Sequence, residues 1–460
     1  MTDAALHNPP TAKGPDAEAL AEIGRALVDA ALKAGADAAE AALVESRSLE
    51  ASVREGALEG MERSESRDAG LRVFIGKKQA GVAFSDLSPA GRATAVERAV
   101  AMARLAPEDP YAGLVEREAL ARSLPEIPLY EGHAWDAERL EAVALEMEAA
   151  AMAVPGVTAT AGAGASYGAG ASALVTSTGF EGLRRASSAS LAIAPIAKKN
   201  GLMERDYESS AARRLGDLKS PSDVGRIAGE RAAARVGAEK VASGKMPVVF
   251  DRRAADDILG YLLGAISGPA IARGTSFLRE KMGERIFAEG IDVIEDPLKP
   301  WGFGSRAHDG EGVAARPRAI IEDGALTTWL LNASSARQLG LELTGHASPN
   351  LGSPPGVGAS NVHLAPGGRS RAELISDAGT GLLVMEMFGA SLNANTGDWS
   401  VGVAGFAIQD GKIGHPTSEI TVAGNVLDIF ARLEPGSDLE FDSAVVSPSI
   451  LVDGLSVGGR

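Results

Sequence analysis

The sequence predicts an α+β fold. Two N-terminal subdomains combine antiparallel strands with flanking helices, and the C-terminal domain is β-rich, barrel- or sandwich-like. Three observations predict this. Apolar residues recur at helical spacing in a few well-bounded segments. Short alternating segments, punctuated by glycine, lie between them. Two Asp-Gly pairs, at 323–324 and 410–411, each separate strand-like runs in the last half of the chain. With 460 residues the chain exceeds one ordinary core, so two or three domains are expected.

Residues 1–15 are polar and contain proline, with no basic head or apolar core. They read as a disordered tail, not a signal peptide. A helix is expected over 16–33, where Leu20, Ile23, Leu27, Ala30 and Ala31 share one face and Gly35 stops the run. Short strands follow at 39–44, 49–54, 57–63, 71–75 and 80–84, with Lys77 and Lys78 in a hairpin turn. Ala93, Val96, Val100 and Ala103 stripe a helix over 88–105, and Pro107 and Pro110 end the first subdomain, 16–110. The second, 127–236, carries an acidic amphipathic helix over 136–152 and a closing helix over 222–236. Between them, the Gly/Ala/Ser tract 157–174 resembles low complexity. Val157, Thr158, Thr160, Tyr167 and Leu174 mark it as strand, and strands continue to Pro195.

Residues 237–245 are small and polar and form a boundary. The third domain, 246–460, opens on a buried strand at 246–250 and a helix over 254–266. Its hairpins pair 319–322 with 325–331 and 401–408 with 413–422, because Asp-Gly accepts the positive φ that twisted strands need.

Charge and composition exclude several functions. The net charge is −16, and the basic pairs are scattered, so a nucleic-acid partner is not expected. There is no cysteine, hence no disulfide framework and no thiol nucleophile or ligand. No apolar run reaches the roughly 18 residues of a membrane span. A soluble, cytoplasmic protein is the expectation.

A catalytic zinc takes three N, O or S side chains and keeps one position open. The histidines are His7, His133, His308, His346, His363 and His415, and no two lie within five residues, so a zinc helix is absent. A site assembled from distant histidines stays open. One Gly-x-Ser-x-Gly match, at 164–168, lies inside the small-residue tract, where more strand follows instead of the helix a nucleophile elbow needs. The glycine-rich run 352–358 has no following lysine, which argues for a mobile loop over a cleft and against a phosphate loop. His308 and His346 are candidates to line a peptide groove, and Thr396 and Asp398, beside Trp399, are candidates for peptide or partner contact. For each, an ordinary loop or turn hydrogen bond is the simpler alternative.

The last third contains a series of short blocks: Asp-Gly-Ala-Leu at 323–326, Thr-Gly-His at 344–346, Gly-Thr-Gly-Leu at 379–382, Thr-Gly-Asp at 396–398, Ala-Gly-Phe at 404–406 and Ile-Thr-Val-Ala-Gly-Asn at 420–425. In order and spacing the chain resembles the TldD/PmbA (TldE) family, once called modulators of DNA gyrase. The run Leu-Gly-Ala-Ile-Ser-Gly at 263–268, followed by Ser-Phe-Leu at 276–278, points to the PmbA/TldE branch.

The resemblance implies more. In the TldD branch the helix at 254–266 carries a His-Glu-x-x-x-His zinc motif. Here its decisive positions are Gly260, Tyr261 and Ala265, a degenerate metal motif, and the branch's late cysteine has no counterpart in 443–451. The implied role is the non-catalytic partner of a TldD-type zinc peptidase that processes or degrades unfolded peptides by shaping a peptide-binding chamber. No catalytic residue, metal or cofactor is expected in this chain, and zinc is expected in a TldD-like partner. The implied assembly is a heterodimer with that partner, or a homodimer when isolated, with a peptide as substrate and no membrane contact. Two alternatives stay open: a self-sufficient hydrolase with a relocated metal site, and a regulatory binding protein, such as a gyrase-toxin modulator, without peptidase activity.

Overall fold

The computed structural model describes residues 14–460. The tail and signal-peptide expectations for 1–15, and the candidate ligand His7, lie outside the described residues but for Gly14 and Pro15. Helix α1 (Ala17–Lys33) leads into β1 (Ala38–Arg54), β2 (Ala57–Ile75), β3 (Lys78–Phe84) and α2 (Pro89–Leu105). Next come α3 (Ala137–Met152), β4 (Val157–Thr176), β5 (Glu181–Lys199), β6 (Leu202–Arg205), β7 (Glu208–Ala212) and α4 (Pro221–Arg235). These helices begin where a side chain can take the orphan amides of the first turn. Asp16 accepts from Ala19 N at 3.2 Å, Asp136 from Arg139 N at 2.9 Å and Ser220 from Asp223 N at 3.1 Å.

All seven strands form one antiparallel sheet, ordered β3-β2-β1-β4-β5-β6, with β7 also on β5. The first two expected units thus share a sheet, joined where β1 runs along β4 from Glu40↔Thr176 to Val53↔Ala163. The separate strands expected at 39–44 and 49–54 are one strand, and so are those at 57–63 and 71–75. The polar residues between them have no apolar face, yet cross-strand backbone bonds carry the pairing through without a break. Helices cover one face. α1 and α2 pack on Ala41, Leu43, Ala69 and Leu71, and α3 and α4 on Ala51, Ala163, Ala165 and Leu191. Small residues let these layers approach closely: a Cβ added at Gly225 of α4 would stand 2.0 Å from Met147 O of α3. The Gly-x-Ser-x-Gly match lies in mid-β4, paired on both sides, and Ser166 Oγ is 2.8 Å from Ser190 Oγ, so no nucleophile elbow exists there.

The last domain begins with β8 (Gly244–Phe250), α5 (Arg252–Ala265), α6 (Gly268–Ala272), β9 (Val293–Glu295), β10 (Arg318–Glu322) and β11 (Ala325–Leu326). It continues through α7 (Ala333–Leu339), β12 (Ala347–Ser348), β13 (Gly356–Val357), β14 (Val362–Leu364), α8 (Arg371–Ala378), β15 (Gly381–Leu392), β16 (Asp398–Gln409) and β17 (Lys412–Asn425). It ends with α9 (Val426–Arg432), β18 (Glu434–Pro435), β19 (Val445–Val446) and β20 (Ile450–Gly458). Strand β17 pairs both β16 and β20, so β17, β16, β15, β8 and β20 close into a barrel. Alternate residues of these strands (Val248, Phe250, Leu382, Val384, Val401, Val403, Val422, Val452) form one core with Ile258, Leu259 and Leu262 of α5. The other alternation of β8 and β15 packs beneath α8.

Both Asp-Gly turns take positive φ, +47° and +80° at 323–324 and +50° and +70° at 410–411. The strand after the first is shorter than expected and ends at Leu326, because Thr327 Oγ1 bonds back to Ala319 O at 2.6 Å and turns the chain. The glycine-rich run is tied down: Gly352 O would lie 2.8 Å from a Cβ at Gly81, and Asn332 Nδ2 donates to Pro355 O at 2.7 Å. No helix among the described residues is long and apolar enough to cross a membrane.

Candidate functional site

Asp251 starts α5 by accepting from Arg253 N at 3.2 Å, and Ile258, Leu259 and Leu262 anchor its inner face in the barrel core. The opposite stripe holds Asp257, Gly260 and Gly264, all exposed, with Asp256 and Tyr261 half-buried. Gly260 has nothing within 4 Å of the place a Cβ would occupy, so the helix surface there is open. Ala265 is buried, and its carbonyl accepts from Ser276 Oγ at 2.6 Å.

Tyr261 packs edge-on against Trp399 with ring centroids 6.1 Å apart. Burial raises its phenol above the ordinary value against a hydrogen bond from Trp399, and the Asp257 charge adds a smaller push upward. Trp399 is itself buried.

This corner also gathers Thr396 and Asp398. Phe277 N donates to Ala394 O at 2.8 Å, which brings the loop after α6 to the turn before β16. In that turn Thr396 Oγ1 donates to Asp398 Oδ2 at 2.8 Å, and Asn425, the N-cap of α9, donates to Thr396 O at 2.9 Å. The Thr396 bond, with help from Asn425, lowers the fully exposed Asp398 carboxyl. The structure therefore places Gly260, Tyr261, Ala265, Thr396 and Asp398 around one end of the barrel.

The two histidines serve elsewhere. His346 is 1% exposed, with Nδ1 2.8 Å from Thr344 Oγ1 and Nε2 donating to Glu295 Oε2 at 2.7 Å. A ring that deeply enclosed lines no groove, so that expectation for His346 is corrected: it pins β9 to the 344–348 segment. Burial alone would raise the Glu295 carboxyl. The hydrogen bond and charge of His346, with the N–H and O–H of Ser360, outweigh burial and hold it below the ordinary value. His308 stacks edge-on against Phe180 at 4.9 Å, and its Nε2 would be 2.3 Å from a Cβ at Gly182. It wedges the C-terminal domain against β5, and burial lowers its pKa. The backbones flanking the two histidines are laced together, Gly310 N to Ala347 O at 2.7 Å, but the rings point to different neighbours.

Sequence reasoning missed Glu295 and Asp256. Nothing in the primary structure links Glu295 to a histidine 51 residues away. Asp256 did leave a trace, as one of two adjacent acids one helical turn before Gly260. Burial, then the Asp257 charge, push it up to about 7.

Could this end of the barrel hold a metal? Hydrogen at 260 and methyl at 265 are not donors, and the Tyr261 phenol is turned to Trp399. Among the described residues no group of three or more His, Asp or Glu side chains is arranged to hold an ion. The residues present do not fit zinc.

Family models describe the chain in three parts: PmbA/TldA metallopeptidase domain 1 over residues 39–103, the central domain over 131–236 and the C-terminal domain over 243–459. Metalloprotease PmbA of Escherichia coli O157:H7 is 34% identical over 426 residues, covering 92% of this chain and 93% of that one. Two crystal structures have the same fold at 23% identity. A candidate modulator of DNA gyrase from Bacteroides thetaiotaomicron gives a TM-score of 0.89 over 96% of this chain and 99% of that one. TldE of Thermococcus kodakarensis gives 0.85 over 95% and 100%.

Proposed function

This chain belongs to the PmbA/TldD metallopeptidase family, and from that premise we propose that it is the non-cutting partner subunit of a TldD-type zinc peptidase acting on unfolded peptides. The observation that carries the reading is the chemistry of α5 at three positions: exposed Gly260, half-buried Tyr261 and buried Ala265. They offer hydrogen, phenol and methyl where the family resemblance places two imidazoles and a carboxylate, and a metal needs electron-pair donors at those points. The TldD-like partner supplies zinc and base. This subunit contributes a wall of the chamber and keeps folded substrates out, so it acts by positioning and exclusion. The proposed compartment is the cytoplasm, and a copy of the chain stands in for the partner when it is absent.

The relocated-site alternative needs three converging donors, and no such group occurs among the described residues. Metal analysis and a peptide-cleavage assay on the isolated chain, repeated with a co-expressed TldD-like chain, test the proposal. Zinc and cleavage are expected only with the second chain. Stoichiometric zinc with cleavage by the isolated protein would overturn it. Co-purification without any cleavage would favour the regulatory alternative.

A further inference from the structure

Strand β7 is an edge. Its five residues, Glu208–Ala212, pair β5 along one side. Along the other side its backbone meets no hydrogen-bonding partner among the described residues. That free side faces a groove. Two hollows, of about 200 and 340 Å³, lie in it and share Ala211, Asp442, Ser443 and Val446. Every residue of β7 lines one or the other, and the segment running into β19 forms the opposite wall. At about 3.3 Å per residue, such an edge offers roughly 17 Å of unsatisfied ladder.

Exposed rings flank the ladder. Tyr207 is 46% exposed at one end, and Phe441 is 56% exposed on the far wall. Each is backed by a cation: Arg253 lies 4.3 Å from the first ring's centroid and Lys299 3.0 Å from the second's. The groove's other cations are already engaged. Arg252 pairs with Glu440 at 2.8 Å and Asp442 at 2.6 Å, Arg214 with Asp217 at 2.7 Å and Lys219 with Glu208 at 2.9 Å. Arg213 donates to the carbonyls of Ser187, Gly302 and Phe303. A phosphodiester strand needs uncompensated cations along its path, and this groove has spent nearly all of its own. It retains backbone donors, backbone acceptors and aromatic faces. That combination recognises an extended polypeptide, with main-chain bonds giving affinity and pockets on alternate sides taking side chains.

We infer that the groove between β7 and the 440–447 segment binds an extended peptide as an added strand on β7. The inference rests on the peptide-handling role proposed above and gives this subunit its own holding site for the unfolded chain. The test is fluorescence anisotropy on the isolated full-length protein. It compares a short labelled unstructured peptide, the same peptide N-methylated at alternate amides in both registers, and a single-stranded thymidine oligonucleotide of similar length. The parent peptide should bind, and one N-methyl register should weaken it about tenfold or more while the other is tolerated. Ala211→Trp, which fills the junction of the two hollows, should abolish binding, and Phe441→Ala should weaken it. Equal binding of parent and both N-methylated peptides, unchanged binding by a folded Ala211→Trp protein, or preference for the oligonucleotide would overturn the inference. The N-methyl comparison uses unaltered protein, so it stands even if Ala211→Trp fails to fold. Zinc-dependent cleavage by the isolated chain would sink the non-cutting role and leave this binding result intact, so the two failures are separable.

Discussion

The barrel and the seven-stranded sheet bury their strands in opposite ways. In the barrel the strands close on themselves, and the inward alternation is branched or aromatic, with Phe250, Val384, Val401 and Val422 fully enclosed. In the sheet the helix-facing alternation mixes alanine with larger residues in about equal share, and the two ends stay open at β3 and at β6 and β7. Closure removes edges, whereas an open sheet keeps a ladder that another strand can read. The lesson is a division of labour. The barrel fixes α5 and leaves Asp257, Gly260 and Gly264 on its outer face. The sheet, held by close approach of small residues, presents the free edge.

The largest test of that contrast is in the barrel. Phe250→Ala removes a fully buried ring from its centre and should cost about 3–5 kcal/mol, because a closed wall cannot collapse into the void. Urea unfolding followed by circular dichroism measures it. A loss under about 1 kcal/mol would mean the barrel is no more tightly packed than the sheet.

The sheet layer should fail differently, by overpacking. Gly225→Ala places a methyl 2.0 Å from Met147 O, so α3 and α4 must move apart. The expected cost is about 1–3 kcal/mol. A neutral result in the same unfolding assay would show that the helices over this sheet slide freely and that small residues are not what sets their spacing.

These expectations also mark how far the primary structure could be read. Helix starts at Asp16, Ser88 and Asp136 were legible, since a cap is a local device, whereas the closing helix begins at its Ser220 cap, ahead of the expected 222. The Asp-Gly hairpins were legible for the same reason. The full lengths of β1 and β2 were not. Between Ser46 and Ser52 the register is carried by backbone pairing on both neighbours, and side-chain patterning is silent about that. The absence of imidazoles at 260 and 265 was legible in the residues alone. The burial of His346 was not, because it depends on Glu295 arriving from β9. Groups that meet across the fold leave no periodic signature in one chain.

Next in size is a pH effect at the join between barrel and groove. The folded-state pKa of Asp256 is about 7, above its ordinary value of 3.8. The native state therefore holds a proton that the unfolded state releases as pH rises from about 4 to 7, and stability falls across that window. Asp256→Asn cannot ionise. It should match the parent near pH 4 and exceed it above pH 7 by on the order of 1–2 kcal/mol, after discounting for partial exposure. Thermal denaturation at several pH values checks the sign. A parent that gains stability from pH 4 to 7 relative to the variant would show that Asp256 is ionised and favourably paired.

The smallest expected effect separates the two kinds of glycine. Gly260 sits mid-helix in α5 with open space where its Cβ would be, unlike Gly225, which is wedged against a carbonyl. Gly260→Ala should stabilise by about 0.5–1 kcal/mol, since alanine surrenders less backbone entropy on entering a helix and meets nothing. Peptide binding at β7 should not change. A destabilised variant would mean that something covers this face in solution, and a partner subunit seated on it would then be its natural occupant. If Gly260→Ala loses stability only when the TldD-like chain is present, the face is an interface. If it gains stability in both states, the face looks into open chamber, and absence of bulk is what this helix contributes.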